Sequence, residues 1–186
     1  MMNIPEGASG DWSIEHFEVT EDGARFHNLR AAFSPGSRTI RPGRYTALKR
    51  RGRVIMSDVP AEIRDHGFFI HQASGRVLIN GLGLGYCTTK VLEKPIVTEV
   101  TVIEKSPDVI ALVAPHISDA RLTVVEADAL SWRPPVGIRY DAVWHDIWDD
   151  ICADNLEQMK LLHRRYGRRC DWQGSWARSL CERQAA

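Results

Sequence analysis

The chain has 186 residues, 44% of them hydrophobic, and its 24 Lys and Arg are balanced by 24 Asp and Glu. That length fits one domain, or one domain with a small N-terminal appendage, and its apolar content suffices for a core. No apolar run approaches the roughly 18 residues of a membrane span, and Met1-Met2-Asn3-Ile4-Pro5 lacks the basic flank and apolar core of a signal peptide.

Zero net charge selects no partner, but the charges are unevenly placed. Arg38 to Arg53 holds seven Lys and Arg and no acid, whereas Asp141 to Asp154 holds five Asp and no Lys or Arg. The four cysteines, Cys87, Cys152, Cys170 and Cys181, are scattered and form no C-x-x-C pair. A disulfide framework is not expected, and Cys170 and Cys181 with His163 match no usual zinc spacing. The expectation is a reduced, cytoplasmic protein with no metal site and no membrane partner.

Residues 1–11 read as a loose terminus rich in turn-formers. Trp12, Ile14, Phe17 and Val19 alternate, and Glu21-Asp22-Gly23 reads as a turn, so two strands joined as a hairpin are expected between Trp12 and Phe26. Ser34-Pro35-Gly36-Ser37 and Arg41-Pro42-Gly43 are breakers. Tyr45–Leu48 and Arg53–Met56 form a second strand pair around Arg51-Gly52. The basic residues of this stretch read as the solvated face of a hairpin or, alternatively, as a phosphate-binding patch. Val59 to His71 is predicted as a helix capped by Ser57 or Asp58, with Pro60 in its first turn.

From Arg76 onward the pattern becomes strand–helix alternation. Val77-Leu78-Ile79 is a continuous apolar run, the mark of a strand buried on both faces of a parallel sheet. Asn80-Gly81-Leu82-Gly83-Leu84-Gly85 follows, and a helix starts at Tyr86. Glycines let a backbone approach a ligand closely, and a helix start offers free N–H groups. Further strands are predicted at Glu99–Ile103, Arg121–Val125 and Tyr140–His145. Helices are predicted from Ser106-Pro107 to about His116, and from Asn155 to Tyr166, and there is room for one more strand near Arg169–Trp172 before a short tail. The result is a doubly wound α/β sheet.

In such a sheet, ligands bind beyond the C-terminal ends of the strands, where strand order reverses. The candidates are therefore the glycine turn, Glu104 about 20 residues later, Asp128 after the third strand, and Asp146 and Asp149 after the fourth. A carboxylate at Glu104 can accept both hydroxyls of a ribose, and Asp128 can accept an exocyclic adenine amine. His145 reads equally as structural or catalytic, and His71 as the cap of a core edge. Trp144, Trp148, Trp172 and Trp176 read as core packing or as the walls of a flat pocket. Arg164, Arg165, Arg168 and Arg169 read as a helix end favoured by the dipole, or as a nucleic-acid contact.

These stretches resemble the class I S-adenosylmethionine-dependent methyltransferases, and among them most the polyamine (spermidine) synthase branch. The resemblance spans roughly Leu48 to Tyr166. Val77–Gly85 is similar to that family's strand and glycine loop, Val102–Ile110 to its ribose-binding segment, Glu126-Ala127-Asp128-Ala129 to its adenine side, and Tyr140–Asp149 to the Y-D-x-x-x-x-D-x-x-D run of polyamine synthases. It implies a Rossmann-like core with a shortened parallel sheet over residues 58–186, preceded by a small β-rich extension over residues 1–57. It also implies that Asn80, Gly81, Leu82, Gly83, Gly85, Glu104, Lys105, Asp128, Ala129 and Asp146 bind S-adenosylmethionine or its decarboxylated form. Asp146 and Asp149 are then the catalytic acids. The departures are Leu82 and Leu84 where polyamine synthases carry an acid, Ile70-His71-Gln72 in place of Tyr-His-Glu, and a chain that ends before the family's last strand pair. Methyl transfer is the leading expectation. Aminopropyl transfer and a non-catalytic binding module remain open, as do the acceptor (amine, nucleic acid or protein) and a homodimer.

Overall fold

Two sheets organise the chain in the computed structural model, which describes residues 4–33 and 38–185. The first is antiparallel, in the order β1-β2-β3-β4, from β1 (Gly7–Ser9), β2 (Trp12–Val19), β3 (Gly43–Arg50) and β4 (Arg53–Ser57). The β3–β4 hairpin is the strand pair expected around Arg51-Gly52. Two expectations fail here. Of residues 1–11, the first three lie outside the described residues, but Gly7–Ser9 are not loose: β1 pairs with β2, and the Ser9 hydroxyl donates to Asp108 Oδ1 at 2.7 Å. The residues after Val19 form no second strand but α1 (Glu21–Ala32). Thr20 Oγ1 accepts the Gly23 N–H at 3.1 Å, and Glu21 and Asp22 favour the helix dipole, so the apparent turn is a helix start. The breaker Ser34–Ser37 lies outside the described residues.

The helix expected over 59–71 is two short ones, α2 (Pro60–Asp65) and α3 (Gly67–Gln72), with His66 between them. Gly67, a poor helix former, follows the break. Pro60 opens α2 as expected, but the preceding Val59 gives no side-chain cap. Asp58 instead accepts the Thr46 N–H at 2.6 Å, and Ser57 donates its N–H and hydroxyl to Glu62.

The second sheet is fully parallel, in the order β7-β6-β5-β8-β9. Its strands are β5 (Gly75–Asn80), β6 (Val97–Glu104), β7 (Leu122–Glu126), β8 (Tyr140–His145) and β9 (Cys170–Ser175). The connecting helices are α4 (Tyr86–Leu92), α5 (Pro107–Val113) and α6 (Asn155–Tyr166). Ser106 caps α5, its hydroxyl accepting the Val109 N–H at 3.3 Å. The expected tail is α7 (Arg178–Gln184), anchored by the fully buried Cys181. The chain winds outward from β5 through β6 to β7, then returns to place β8 on the other side. Strand order therefore reverses between β5 and β8.

Val77, Leu78, Ile79, Ala142 and Val143 are at most 1% exposed, as a strand covered on both faces requires. Phe69 stacks on Trp144 at 5.1 Å and on Trp172 at 6.1 Å, which places these two tryptophans in the core. The same apolar cluster takes Ile4, Ile14 and Leu48 from the N-terminal region. Each such burial contributes about 1.5–3 kcal/mol, which holds the antiparallel sheet against the parallel one. Among the described residues, no helix is long and apolar enough to cross a membrane.

Candidate functional site

The end of β5 turns through Gly81 and Gly83 into α4. Gly81 has φ +99°, and a Cβ there would lie 1.9 Å from the Asp146 carbonyl oxygen, so the strand ends of β5 and β8 meet only if residue 81 lacks a side chain. Gly83 has φ +51°, and its Cβ would meet Met56 Sδ at 2.6 Å. Met56 comes from β4 and lies on the loop, with its thioether 3.4 Å from the Leu84 N–H.

Beyond the strand ends opens a cleft of about 190 Å³. Of the residues singled out in the sequence, Gly81, Gly83, Glu104, Lys105, Asp128, Ala129, Asp146 and Asp149 line it. Three others stand behind it. Asn80 is fully buried, with Nδ2 2.7 Å from His145 Nδ1. The Leu82 side chain is buried while its N–H donates to Glu104, and Gly85 packs against Val113 and Ile117.

Glu104 joins the parts of the site. Its Oε2 accepts the Leu82 N–H and its Oε1 the Ser106 N–H, both at 2.9 Å. Each oxygen keeps a lone pair, so the carboxylate can still receive two hydroxyls of a vicinal diol. Asp128 Oδ1 accepts the Leu130 N–H at 2.7 Å. The loop after it is fixed by Arg165, which donates to the carbonyls of Ala129, Leu130 and Trp132.

Asp146 stands at the end of β8 with its side chain 20% exposed. Burial, aided by the negative charges of Asp65, Glu62 and Glu104, raises its pKa from 3.8 to about 7. Its nearest cationic candidate is His66, whose Nδ1 is 3.8 Å from Asp146 Oδ2. Burial lowers the His66 pKa to about 4, so the imidazole is neutral beside it.

Asp149 lines the cleft, but its carboxylate is paired with Arg50 of β3, and Asp150 is paired with Arg53 of β4. The basic and acidic stretches thus clasp the antiparallel sheet over the cleft. Arg50 also lies 5.3 Å over the Trp12 ring, which faces the same space. Of the tryptophans, Trp148 and Trp176 line the cleft, and Trp148 Nε1 donates to Gln158 at 2.8 Å. His145 is fully buried between Asn80 and Gln173, a structural place away from the cleft, and its pKa falls to about 3 through burial. The His71 carbonyl accepts from Lys94 Nζ at 2.9 Å. Among the described residues, no group of three or more His, Cys, Asp or Glu converges as a metal site.

The sequence reading did not single out Met56, Glu62, His66 or Gln158. Only their place in the fold brings them to the cleft.

No protein-family model and no curated protein matches the chain. Among solved structures it is similar to the N-methyltransferase NodS from Bradyrhizobium japonicum WM9, at 17% identity and TM-score 0.51, over 68% of this chain and 74% of that one. A NodS complex with S-adenosyl-L-homocysteine gives 17% identity and TM-score 0.51 over 69% and 68%. The chain is also similar to the 23S rRNA methyltransferase ErmE, at 19% identity and TM-score 0.42, over 58% of this chain and 41% of that one. With a dimethyladenosine transferase from Plasmodium falciparum the values are 25% identity and TM-score 0.40, over 48% and 32%. The matched region thus spans less than half the length of the last two. The likeness to NodS shows the fold, which is the Rossmann-like fold of methyltransferases.

Proposed function

We propose that this chain is an S-adenosylmethionine-dependent methyltransferase, with the cofactor in the cleft beyond β5, β6 and β8. The observation that carries this reading is Glu104, a cleft carboxylate at the end of the second parallel strand. It is fastened to the glycine loop and keeps a lone pair on each oxygen for a ribose. Gly81 and Gly83 keep the loop side of the cleft free of side chains, and Asp128, Ala129 and Lys105 border its adenine side. Residues 58–186 supply this pocket and residues 1–57 roof it through Trp12, Leu48 and Met56. Four free cysteines agree with a reducing, cytoplasmic setting.

When bound, S-adenosylmethionine supplies a methyl carbon activated by a sulfonium. The chain supplies alignment, exclusion of water by the apolar roof of Trp12, Leu48 and Met56, and a base. Asp146 is that base. With a pKa of about 7 it is partly ionised at neutral pH, and its carboxylate accepts a proton from an acceptor N–H or O–H. Asp149, held by Arg50, closes the roof and steers the acceptor without taking its proton. Methyl transfer is favoured over aminopropyl transfer because Leu82 and Leu84 are buried, leaving the loop without an acid to grip an aminopropyl ammonium. Kinship with the polyamine synthase branch rests on Asp141, Asp146 and Asp149. Of these, Asp141 accepts the Arg76 N–H at the far end of β5, away from the cleft.

The test is transfer of a labelled methyl group to a panel of amines, nucleic acids and peptides. Incorporation that vanishes in Asp146→Asn supports the reading, and transfer of an aminopropyl group from the decarboxylated cofactor would replace it.

A further inference from the structure

His66 is the one cleft-lining histidine, yet only 2% exposed, and its Nδ1 has no hydrogen-bond partner among the described residues. A buried polar nitrogen without a partner costs stability and calls for a reason. The ring is hemmed in by Tyr86 at 6.2 Å and by the edge-on Trp144 at 6.1 Å, so its orientation is fixed by packing. It faces Asp146, with Nδ1 3.8 Å from Oδ2, and among the described residues no other basic group pairs with Asp146. The gap exceeds a hydrogen bond by about one ångström, which a small turn of the Asp146 side chain closes.

We propose that His66 is a positioning residue for Asp146: its Nδ1 accepts the O–H of the protonated carboxyl, holding the proton on Oδ2 and fixing the plane of the group. The imidazole then carries its own hydrogen on Nε2. Asp65 and Glu62 from the α2 side, Glu104 from β6 and the Cys87 thiol from α4 face Asp146, and none of them is a cation. Asp65 and Arg38 face His66 with opposite effects, and burial keeps the ring neutral. A neutral ring can only accept at a nitrogen that bears no hydrogen, so the proton stays on the carboxyl and the ring steadies it. In the methyltransferase reading, on which the catalytic use of the pair rests, the ionised carboxylate takes the acceptor's proton on its cleft-facing oxygen, and a half-turn of the carboxyl then brings that O–H to His66 Nδ1. The N–H or O–H bond of the acceptor breaks as the O–H bond of Asp146 forms.

The test is a side-chain carboxyl NMR titration of the whole protein with labelled aspartate, the Asp146 signal being assigned by its loss in Asp146→Asn. Wild type should titrate near pH 7. His66→Leu should lower that midpoint by about one unit, the scale of one hydrogen bond to the protonated form. His66→Asn, whose amide oxygen takes the place of Nδ1, should restore it, and His66→Gln, which reaches the place of Nε2, should not. If His66→Leu does not fold, the Asn and Gln variants decide between them. An unshifted midpoint in His66→Leu, or equal midpoints in the Asn and Gln variants, would overturn the proposal. The titration needs no cofactor. Failure of wild type to bind adenosylhomocysteine in a parallel calorimetric experiment would strike the methyltransferase reading and leave the pair measured.

Discussion

Glu104 Oε2 accepts the backbone N–H of Leu82 at 2.9 Å, tying the end of β6 to the glycine loop that leaves β5. With the Ser106 N–H on its other oxygen, this carboxylate shapes the pocket as well as facing it. Glu104→Ala should therefore weaken more than ligand binding. Loss of hydrogen bonds to a charged group is expected to cost about 1.5–3 kcal/mol of folding stability. Urea unfolding of the ligand-free protein checks this, and a stability equal to wild type would show that the loop holds its shape alone.

The two loop glycines should behave differently. Gly81→Ala places a Cβ against the Asp146 backbone carbonyl, which cannot move aside without parting β5 from β8, so the variant should fold poorly or not at all. Gly83→Ala meets only the flexible end of Met56, and should cost about 1–2 kcal/mol of left-handed backbone strain. Replacing Met56 by Ala in the same chain should recover the steric part of that loss. Thermal midpoints of the three variants measure it, and equal tolerance at both positions would contradict the loop geometry.

Asp146 gives a signed pH dependence. Its folded pKa, about 7, lies above its ordinary 3.8, so the native state binds the extra proton between these values. The stability it adds is fully present below pH 4, is lost as pH rises through 7, and amounts to a few kcal/mol. His66 and His145, with pKa lowered to about 4 and about 3, act in the opposite sense below pH 6.5. Both proteins carry these histidines, so their effect cancels in the comparison, and Asp146→Asn should become progressively more stable than wild type from pH 4 to 7 and level off above it. Turnover of wild type should rise with pH to a plateau above 7, and Asp146→Asn should lose about 100-fold or more. A stability difference independent of pH would place Asp146 in an ordinary solvated setting.

Asp149 should matter less than Asp146. Its partner Arg50 is 36% exposed, and an ion pair so placed contributes about 0.2–1 kcal/mol. Asp149→Asn should accordingly reduce turnover by at most about fivefold. The loss should resemble that of Arg50→Gln and grow no larger in the double variant. Additive losses would show that the two residues act separately.

The parallel core was largely legible. A run such as Val77-Leu78-Ile79 has few alternatives to a strand buried on both faces, and the acids Glu104, Asp128 and Asp146 follow such runs at once. The N-terminal region was less so. Alternation from Trp12 to Val19 marks a strand, but the helix after it depends on Thr20 as a cap, and Glu21-Asp22-Gly23 serves a turn equally well. The basic block around Arg50 and the acidic block around Asp149 were both visible, yet their pairing depends on how the antiparallel sheet folds over the cleft. Arg165 carried the signal of a helix end and not of a clamp on distant carbonyls. His66 had no spacing signal at all, and only Gly67 after it hints that the helix breaks there.

The most direct test of the central claim is calorimetric titration of the wild-type chain and of Glu104→Ala with S-adenosylmethionine and S-adenosylhomocysteine. A cleft built for this cofactor should bind one molecule of either per chain, with affinity lowered by at least about tenfold in Glu104→Ala, the least that loss of a charged hydrogen bond gives. Absence of heat with wild type, or equal binding by the variant, would contradict the account.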